Sequence, residues 1–210
     1  MCILKTSEQL CFKGIIHYPE TEIQENQFTF ITGESGCGKS SFLKLLNASS
    51  IPSAGDIFYR GDNIRQLPIL DYRKKVLLVP QDVFLFDGTI MENFNIYRKY
   101  SERNPLRATE AEKFMQVCCA DFAPDSTCTT LSGGERQRVF LSIFLSCMPD
   151  VILLDEPTAA LDEKTSFRLM SNLKDFCDSE HITSVIVSHN NDLVDRFADK
   201  VIRFRKDEAV

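Results

Sequence analysis

Residues 33–41 form a glycine-rich loop that ends in a lysine and two serines and has the spacing G-x-x-x-x-G-K-S. Glycines in such a loop let successive backbone N–H groups form a nest for an anion, and a following helix N-terminus adds positive partial charge. Lys39 is placed to reach the β- and γ-phosphates of a nucleotide, and Ser40 to ligate Mg²⁺. Similar glycine patterns occur in ordinary strand-to-helix loops, but the apolar run before this one and the helical pattern after it favour a nucleoside triphosphate site. The expected binding residues are Gly33, Glu34, Ser35, Gly36, Cys37, Gly38, Lys39, Ser40 and Ser41.

Two adjacent acids, Asp155 and Glu156, follow the apolar run at 151–154. Because open α/β sheets place ligand-binding groups at the carboxyl ends of their strands, both carboxylates should face the phosphates. Asp155 fits the role of holding Mg²⁺, and Glu156 could accept a proton from the attacking water as general base. Adjacent acids can also simply end a strand, but beside a phosphate loop we favour the catalytic interpretation.

A second pair of glycines lies in the octet 131–138, which reads Leu-Ser-Gly-Gly-Glu-Arg-Gln-Arg and opens a helical pattern. Ser132, Gly133 and Gly134 at a helix N-terminus form a second anion-binding surface. One nucleotide does not need two such surfaces in one chain, so we expect this one to cover the γ-phosphate bound by another subunit. A serine and two glycines are common as a plain helix cap, whereas the full octet is highly specific.

The elements that position these residues alternate between strands and helices. Apolar runs predict strands at 28–32, 76–79, 151–154, 184–187 and 201–204. Continuous apolar runs are typical of strands covered on both faces, and their alternation with helical patterns predicts an α/β fold with a mostly parallel sheet. Near the N-terminus, 10–13 and 15–18 predict two short strands of a small antiparallel sheet.

Composition excludes several other classes of protein. The net charge of −6 gives no general reason to expect binding to nucleic acid. No apolar run is long enough to cross a bilayer, and the N-terminus lacks the features of a signal peptide, so we expect a cytoplasmic protein. The eight cysteines show neither C-x-x-C nor zinc-site spacing, which predicts buried free thiols rather than disulfides.

Together the motifs resemble those of the ATP-binding cassette (ABC) ATPases. The octet is similar to the family's signature motif, residues 33–41 to its Walker A loop and residues 151–156 to its Walker B strand. Further matches are Gln81 to the Q-loop glutamine, 160–162 to the D-loop, His189 to the switch histidine and 53–61 to the β-subdomain. These matches occur in the family's order and span most of the chain, from about 28 to 200.

The resemblance implies a fold and an assembly. The fold is an ABC-type P-loop core in a single domain, 1–210, with an N-terminal antiparallel β-subdomain and an inserted helical subdomain at about 83–147. The assembly is a head-to-tail dimer that holds two ATP molecules at its interface. Each ATP would lie between the phosphate loop of one subunit and Ser132, Gly133, Gly134 and Glu135 of the other.

The resemblance also implies residue roles that the pattern alone does not support. It assigns Gln81 to Mg²⁺, water contact and sensing of a partner, His189 to the γ-phosphate and the attacking water, and Asp162 to coupling between the two sites. A single histidine after a strand is otherwise more often structural. Family members commonly stack an upstream aromatic residue on adenine, for which Phe12 is the first candidate and Tyr18 the second.

The function implied is that of an ATP-binding and ATP-hydrolysing subunit that powers an ABC transporter through separate transmembrane permease subunits, at the inner face of the cell membrane. We expect the permease groove between Gln81 and the segment 87–97, beside the apolar cluster 83–86, although this cluster could instead pack in the helical core. Segment 80–90 resembles exporter cassettes, whereas the octet lacks their preceding Glu-containing segment, which leaves only a lean towards export.

The rival function is that of a soluble ABC ATPase in DNA repair or translation. The chain has neither the long coiled-coil insertion of the repair members nor the second cassette of the translation factors. Its acidic balance also disfavours direct contact with nucleic acid. A P-loop kinase for small molecules is a further alternative, but it leaves the octet unexplained.

Overall fold

The computed structural model describes residues 1–205. Their strands are β1 (Cys2–Thr6), β2 (Cys11–Phe12), β3 (Ile16–His17), β4 (Glu22–Gln24), β5 (Phe28–Gly33), β6 (Ile57–Tyr59), β7 (Asp62–Asn63), β8 (Val76–Val79), β9 (Val151–Asp155), β10 (Thr183–Val187) and β11 (Lys200–Phe204). Their α-helices are α1 (Lys39–Leu46), α2 (Ile69–Lys75), α3 (Ile90–Tyr100), α4 (Ala108–Val117), α5 (Gly133–Leu145), α6 (Glu163–Glu180) and α7 (Asn191–Phe197).

A five-stranded parallel sheet forms the centre of the molecule, in the order β11-β5-β10-β9-β8. All five predicted strands belong to it, which confirms the α/β fold with a parallel sheet. Every residue of β9 and β10 is buried, as their continuous apolar runs predict. β8 lies at the edge of the sheet, and its Leu77 and Leu78 are only partly buried. Its Val76 and Val79, which point to opposite faces of the sheet, are buried in two different hydrophobic clusters, so both faces of this strand are covered, although less completely than those of β9 and β10.

The register of the sheet brings several chain segments to one edge. Ile31 of β5 pairs with Val187 of β10, and Val187 pairs in turn with Asp155 of β9. On the other side, Val79 of β8 pairs with Leu154. Because the strands are parallel, the loops that follow β5, β8, β9 and β10 all leave the sheet at this carboxyl edge.

The predicted N-terminal antiparallel β-subdomain is confirmed, but most of its strands differ from those that the sequence predicts. The predicted segments form the separate hairpin β2–β3, from which Cys11 makes an isolated bridge to Ala54, while the larger sheet has the order β4-β1-β6-β7. A shift of register between Cys2 and Leu4 interrupts the alternation of β1, which hides its strand pattern from the sequence. Asp62 and Asn63 form the two-residue strand β7.

The helices α3, α4 and α5 lie within the segment that the resemblance assigns to an inserted subdomain. Their buried side chains join one hydrophobic cluster with sheet residues such as Phe30, Ile152 and Ile186. The subdomain boundary at 83–147 stays a prediction. No helix of residues 1–205 has the length and apolarity needed to cross a membrane. All eight cysteines are free and seven of them are buried, which confirms the prediction of buried thiols.

Candidate functional site

The phosphate loop joins β5 to α1 and leaves the start of the helix open. Gly38 precedes the first helical residue with φ of 93°, no side chain caps the helix, and its first turn contains no acid. The first N–H groups of a helix have no intrahelical partner, so they are available to an anion. A Cβ at Gly36 would meet no atom within 4 Å, which leaves open space above the loop. These features fit the phosphates of a nucleotide.

The ammonium group of Lys39 is held inside this loop. Its Nζ donates to the carbonyl oxygens of Gly33 at 2.9 Å and Glu34 at 2.8 Å, and it lies 3.9 Å from Sγ of Cys37. The lysine is buried. A buried ammonium whose partners are two neutral carbonyls and a thiol sulfur is suited to bind an anionic oxygen, because opposite charge compensates for its lost hydration.

Tyr18 lies beneath the phosphate loop and is only 3% exposed. Its hydroxyl donates to the carbonyl oxygen of Gly38 at 3.0 Å, and its ring packs against those of Phe42 and Phe204, at 5.0 Å and 5.5 Å. The expectation that Tyr18 could stack on adenine is therefore wrong, because protein covers its ring. Phe12 is partly exposed on β2, with Nζ of Lys13 at 5.3 Å from its ring centre, and it stays the candidate for adenine stacking.

A hydroxyl and a carboxylate meet where the loop faces β9. Oγ of Ser40 donates to Oδ1 of Asp155 at 3.0 Å, and Asp155 is buried. Burial raises the pKa of Asp155, which the bond from Ser40 partly offsets. Oxygen donors of this kind are the ligands that Mg²⁺ prefers, so the pair fits a metal at the phosphates. Gln81 is exposed and follows β8 at the same edge of the sheet.

Glu156 and His189 face each other beside this pair. Nε2 of His189 lies 3.3 Å from Oε1 of Glu156, and the two residues line an open cleft of about 430 Å³. Glu156 has φ of 52°, in the left-handed region that residues other than glycine seldom occupy. Such a conformation persists only where surrounding contacts hold it, and it is common in active sites. The structure thus brings these two predicted site residues together.

The octet opens α5 at the surface of the chain. Ser132 and Gly133 are exposed, and the backbone N–H of Ser132 donates to Oε2 of Glu135 at 2.7 Å. This bond lowers the pKa of Glu135. Within residues 1–205, no hydrogen bond joins 132–134 to the phosphate loop. Ser132, Gly133 and Gly134 are therefore not hydrogen-bonded to the phosphate loop of their own chain.

Asp162 caps the N-terminus of α6, and the loop before it lies near the start of α5. Its two carboxylate oxygens accept from the backbone N–H of Thr165 at 2.9 Å and from the Thr165 hydroxyl at 2.7 Å, and these bonds lower its pKa. The backbone of the preceding loop approaches the octet closely, since a Cβ at Gly134 would lie 2.8 Å from the carbonyl oxygen of Ala160. Asp162 is thus a helix cap in this structure, and its coupling role stays a prediction.

Sequence reasoning assigned no role to Gln137, although it lies inside the octet. Its Nε2 donates to the backbone carbonyl oxygen of Glu156 at 3.0 Å. The only available signal is a polar residue in a helix whose later positions are mostly apolar, and that pattern does not identify the partner.

Comparison with known proteins agrees with this geometry. The family model described as ABC transporter matches residues 17–159. The chain is 33% identical over 201 residues to the phosphonates import ATP-binding protein PhnC of Thiobacillus denitrificans, covering 90% of this chain and 76% of that protein. It is 32% identical over 180 residues to the probable iron export ATP-binding protein FetA of Escherichia coli, covering 86% and 80%. A solved dimeric ATP-binding cassette in a post-hydrolysis state, bound to ADP and Pi, superposes with a TM-score of 0.85 at 24% identity, covering 97% of this chain and 95% of that one.

Proposed function

This chain belongs to the ABC transporter family, and we propose that it is the subunit that binds and hydrolyses ATP to power transport through separate membrane subunits. The observation that carries the proposal is the meeting of Ser40 and Asp155 at 3.0 Å, which joins the phosphate loop to the strand that Glu156 follows. The relatives described above are named as import and export ATP-binding proteins. Those names favour transport over DNA repair or translation, and the lean towards export stays a prediction.

The phosphates of ATP would lie on the loop 33–41. Lys39 would exchange its bonds to the Gly33 and Glu34 carbonyls for the phosphate oxygens, while the open N-terminus of α1 supplies backbone donors. Ser40 and Asp155 would hold Mg²⁺, with Gln81 as a further contact. When bound, the metal neutralises charge that develops on the transferred phosphoryl group. Phe12 would stack on the adenine.

Glu156 is the base that we assign to the attacking water. A candidate base must lie within hydrogen-bond reach of its proton, and the open cleft in front of Glu156 leaves room for a water molecule. His189, whose Nε2 is 3.3 Å from the Glu156 carboxylate, would orient both that water and the γ-phosphate. The side chain of His189 is half exposed, so it is accessible to a nucleotide on this face.

Completion of the site requires a second subunit. The exposed Ser132 and Gly133 open a helix N-terminus that this chain's own loop does not engage. In a head-to-tail dimer these groups, with Gly134 and Glu135, would cover the γ-phosphate on the other chain's loop. We therefore propose that this chain carries two half-sites, and that Asp162 lies where they meet.

Replacement of Glu156 by glutamine tests the catalytic assignment. Glu156→Gln should remove the base while leaving the phosphate loop unchanged, so that turnover falls by roughly 10²–10⁴ and an ATP-bound dimer accumulates. Turnover is measured by phosphate release, and the dimer by light scattering after gel filtration with Mg-ATP. Glu163→Gln is the matched control, because it changes an exposed acid of the same cleft. Wild-type turnover in Glu156→Gln would contradict the assignment.

We place the membrane subunit beside Gln81. Within the apolar cluster 83–86, Leu85 packs in the core, but Phe84 is 60% exposed. The hydroxyl of Tyr97 on α3 donates to the Phe84 carbonyl at 2.6 Å. A neighbouring groove of about 240 Å³, between α2, α3 and α5, is lined in part by Leu70 and Tyr97. An exposed aromatic surface beside a groove of this kind suits a helix of the permease subunits, which would hold the chain at the inner face of the membrane.

Charge reversal tests this placement. Asp82 and Asp87 are exposed on the two sides of the apolar cluster. Asp82→Lys and Asp87→Lys should weaken transport in cells and leave Mg-ATP binding by the purified chain unchanged, because neither residue contacts the phosphate loop. Asp62→Lys, an exposed acid on β7 in the N-terminal antiparallel sheet, serves as control. Transport at the wild-type rate in both variants would contradict the docking surface.

A further inference from the structure

Gln137 connects α5 to the residue that we assign as base. The side chain is only 8% exposed, and its Nε2 donates to the carbonyl oxygen of Glu156 at 3.0 Å. Only the nitrogen of a side-chain amide can donate to a carbonyl, so the orientation of the amide is chemically determined. Within residues 1–205, the Oε1 of Gln137 is buried without a hydrogen-bond partner. A buried acceptor without a partner is costly, and it calls for a reason to keep the glutamine.

The backbone of Glu156 needs such a contact because of its conformation. With φ of 52°, the residue is in a region that costs free energy for any side chain with a Cβ. Its N–H donates to the Val187 carbonyl at 3.1 Å, which anchors it to the sheet. Its carbonyl accepts from the N–H of Ala159 at 3.2 Å within the turn, and from Gln137 on the other side. Gln137 is thus the contact that ties this strained residue to α5.

The same side of α5 has a second contact with the loop that follows β9. Gly134 precedes Gln137 by three residues, which places both on one face of the helix. At Gly134 the helix lies so close to Ala160 that an added Cβ would be 2.8 Å from the carbonyl oxygen. The N-terminal part of α5 therefore meets the 156–160 segment at both ends of that segment.

We propose that Gln137 is a positioning residue for Glu156, and that it links the signature surface to the base of the other ATP site. Ser132 and Gly133 serve the nucleotide on the partner, whereas Glu156 serves the nucleotide on this chain's own loop. A shift of α5 when the partner's nucleotide binds is transmitted through Gln137 to the Glu156 backbone. The inference rests on the proposed function, because it requires Glu156 to be the base.

Gln137→Met tests the link with a side chain of similar size that lacks the donor. The phosphate loop is unchanged, so KM for ATP should stay within about twofold of the wild-type value, while kcat falls about tenfold, because displacement of a reacting group by about 1 Å costs up to 10² in rate. Ser142→Ala is the matched control. It removes a buried hydroxyl of the same helix whose bond, to the Val139 carbonyl at 2.6 Å, stays within α5. This control should keep the wild-type kcat.

A double-mutant cycle separates positioning from general destabilisation. In the Glu156→Gln background, the further change Gln137→Met should leave the single-turnover rate unaltered, since no base remains to be positioned. A structural defect would lower the rate in both backgrounds. Gln137→Glu is the second variant, used if Gln137→Met does not fold, because it keeps the shape and replaces the donor by an acceptor that repels the Glu156 carbonyl. It should lower kcat at least as far.

The outcomes distinguish the two proposals. Loss of kcat at constant KM, together with no added loss in the Glu156→Gln background, supports the link. If Gln137→Met or Gln137→Glu keeps the wild-type kcat while Glu156→Gln is inactive, the positioning role is overturned and the catalytic assignment stands. If Glu156→Gln itself turns over at the wild-type rate, the assignment of Glu156 as base is overturned, and the positioning role that depends on it is overturned as well.

Discussion

Replacement of Tyr18 by phenylalanine removes one hydroxyl from beneath the phosphate loop and leaves the ring in place. That hydroxyl donates to the Gly38 carbonyl at 3.0 Å, and the same carbonyl accepts the N–H of Phe42 at 2.8 Å as the first bond of α1. Burial raises the pKa of Tyr18, so the hydroxyl stays protonated and donates over the working pH range. The bond therefore stabilises the junction at which the loop becomes a helix.

The magnitude follows from one neutral hydrogen bond. Its net contribution is about 1 kcal/mol, and the Gly38 carbonyl keeps its helical partner when the hydroxyl is removed. For a chain of this length, we expect Tyr18→Phe to lower the Tm of the ligand-free protein by about 2–4 °C. If the same free energy is lost from the phosphate-binding conformation, the Kd for ATP rises by up to about fivefold. Tyr18→Ala should cost roughly 3–5 kcal/mol, because it also removes the ring.

Two measurements check this expectation. Thermal unfolding gives the change in Tm without nucleotide, and titration with a fluorescent ATP analogue gives Kd. Tyr100→Phe is the matched control, since Tyr100 is 72% exposed and distant in the chain from the loop. If Tyr18→Phe equals the Tyr100→Phe control in both Tm and Kd, the hydroxyl does not support the loop and our reasoning is refuted.

Two further expectations concern the same site. Burial holds the pKa of Asp155 above its ordinary value of 3.8, so its ionisation destabilises the ligand-free fold as pH rises above that value. Asp155→Asn should therefore raise Tm near neutral pH, and the gain should shrink towards acid pH; an equal gain at every pH would contradict this origin. Cys37 is buried beside Lys39 in the loop, so its alkylation should block ATP binding and slow down with Mg-ATP present. Peptide mass spectrometry measures the rate, and equal rates with and without Mg-ATP would count against the placement of Cys37.

The strands of the parallel sheet could be predicted because each one shows a distinct apolar run in the sequence. β9 and β10 are covered on both faces, so their residues are continuously apolar and stand out between helices. The N-terminal sheet was not predictable in the same way, since β1 contains a register shift and β7 is only two residues long. Helix α2 was also missed. Only one of its residues, Tyr72, is buried, so it shows no apolar stripe.

The chemistry of the site could be predicted from the sequence about as well as the strands of the parallel sheet. Glycines, a lysine and a serine at fixed spacing specify a phosphate loop, because the loop's function depends on local backbone geometry. Two acids that follow an apolar strand indicate carboxylates that face the phosphates, because the strands of an open α/β sheet place ligand-binding groups at their carboxyl ends. The octet indicates a surface for a second nucleotide. Each of these patterns lies within a few consecutive residues, and the residue types in it are enough to indicate the chemistry.

Only the tertiary structure decided which side chains meet. Ser40 and Asp155 are 115 residues apart in the chain, and the sheet register brings them within 3.0 Å. From the sequence Tyr18 was the second candidate for the adenine contact, and packing places it under the loop instead. The bond from Gln137 to the Glu156 carbonyl has no sequence signature, because an amide that serves a distant backbone atom looks like any other polar residue. Local periodicity thus determines elements and motifs, whereas contacts between them depend on the non-local register and packing of the whole fold.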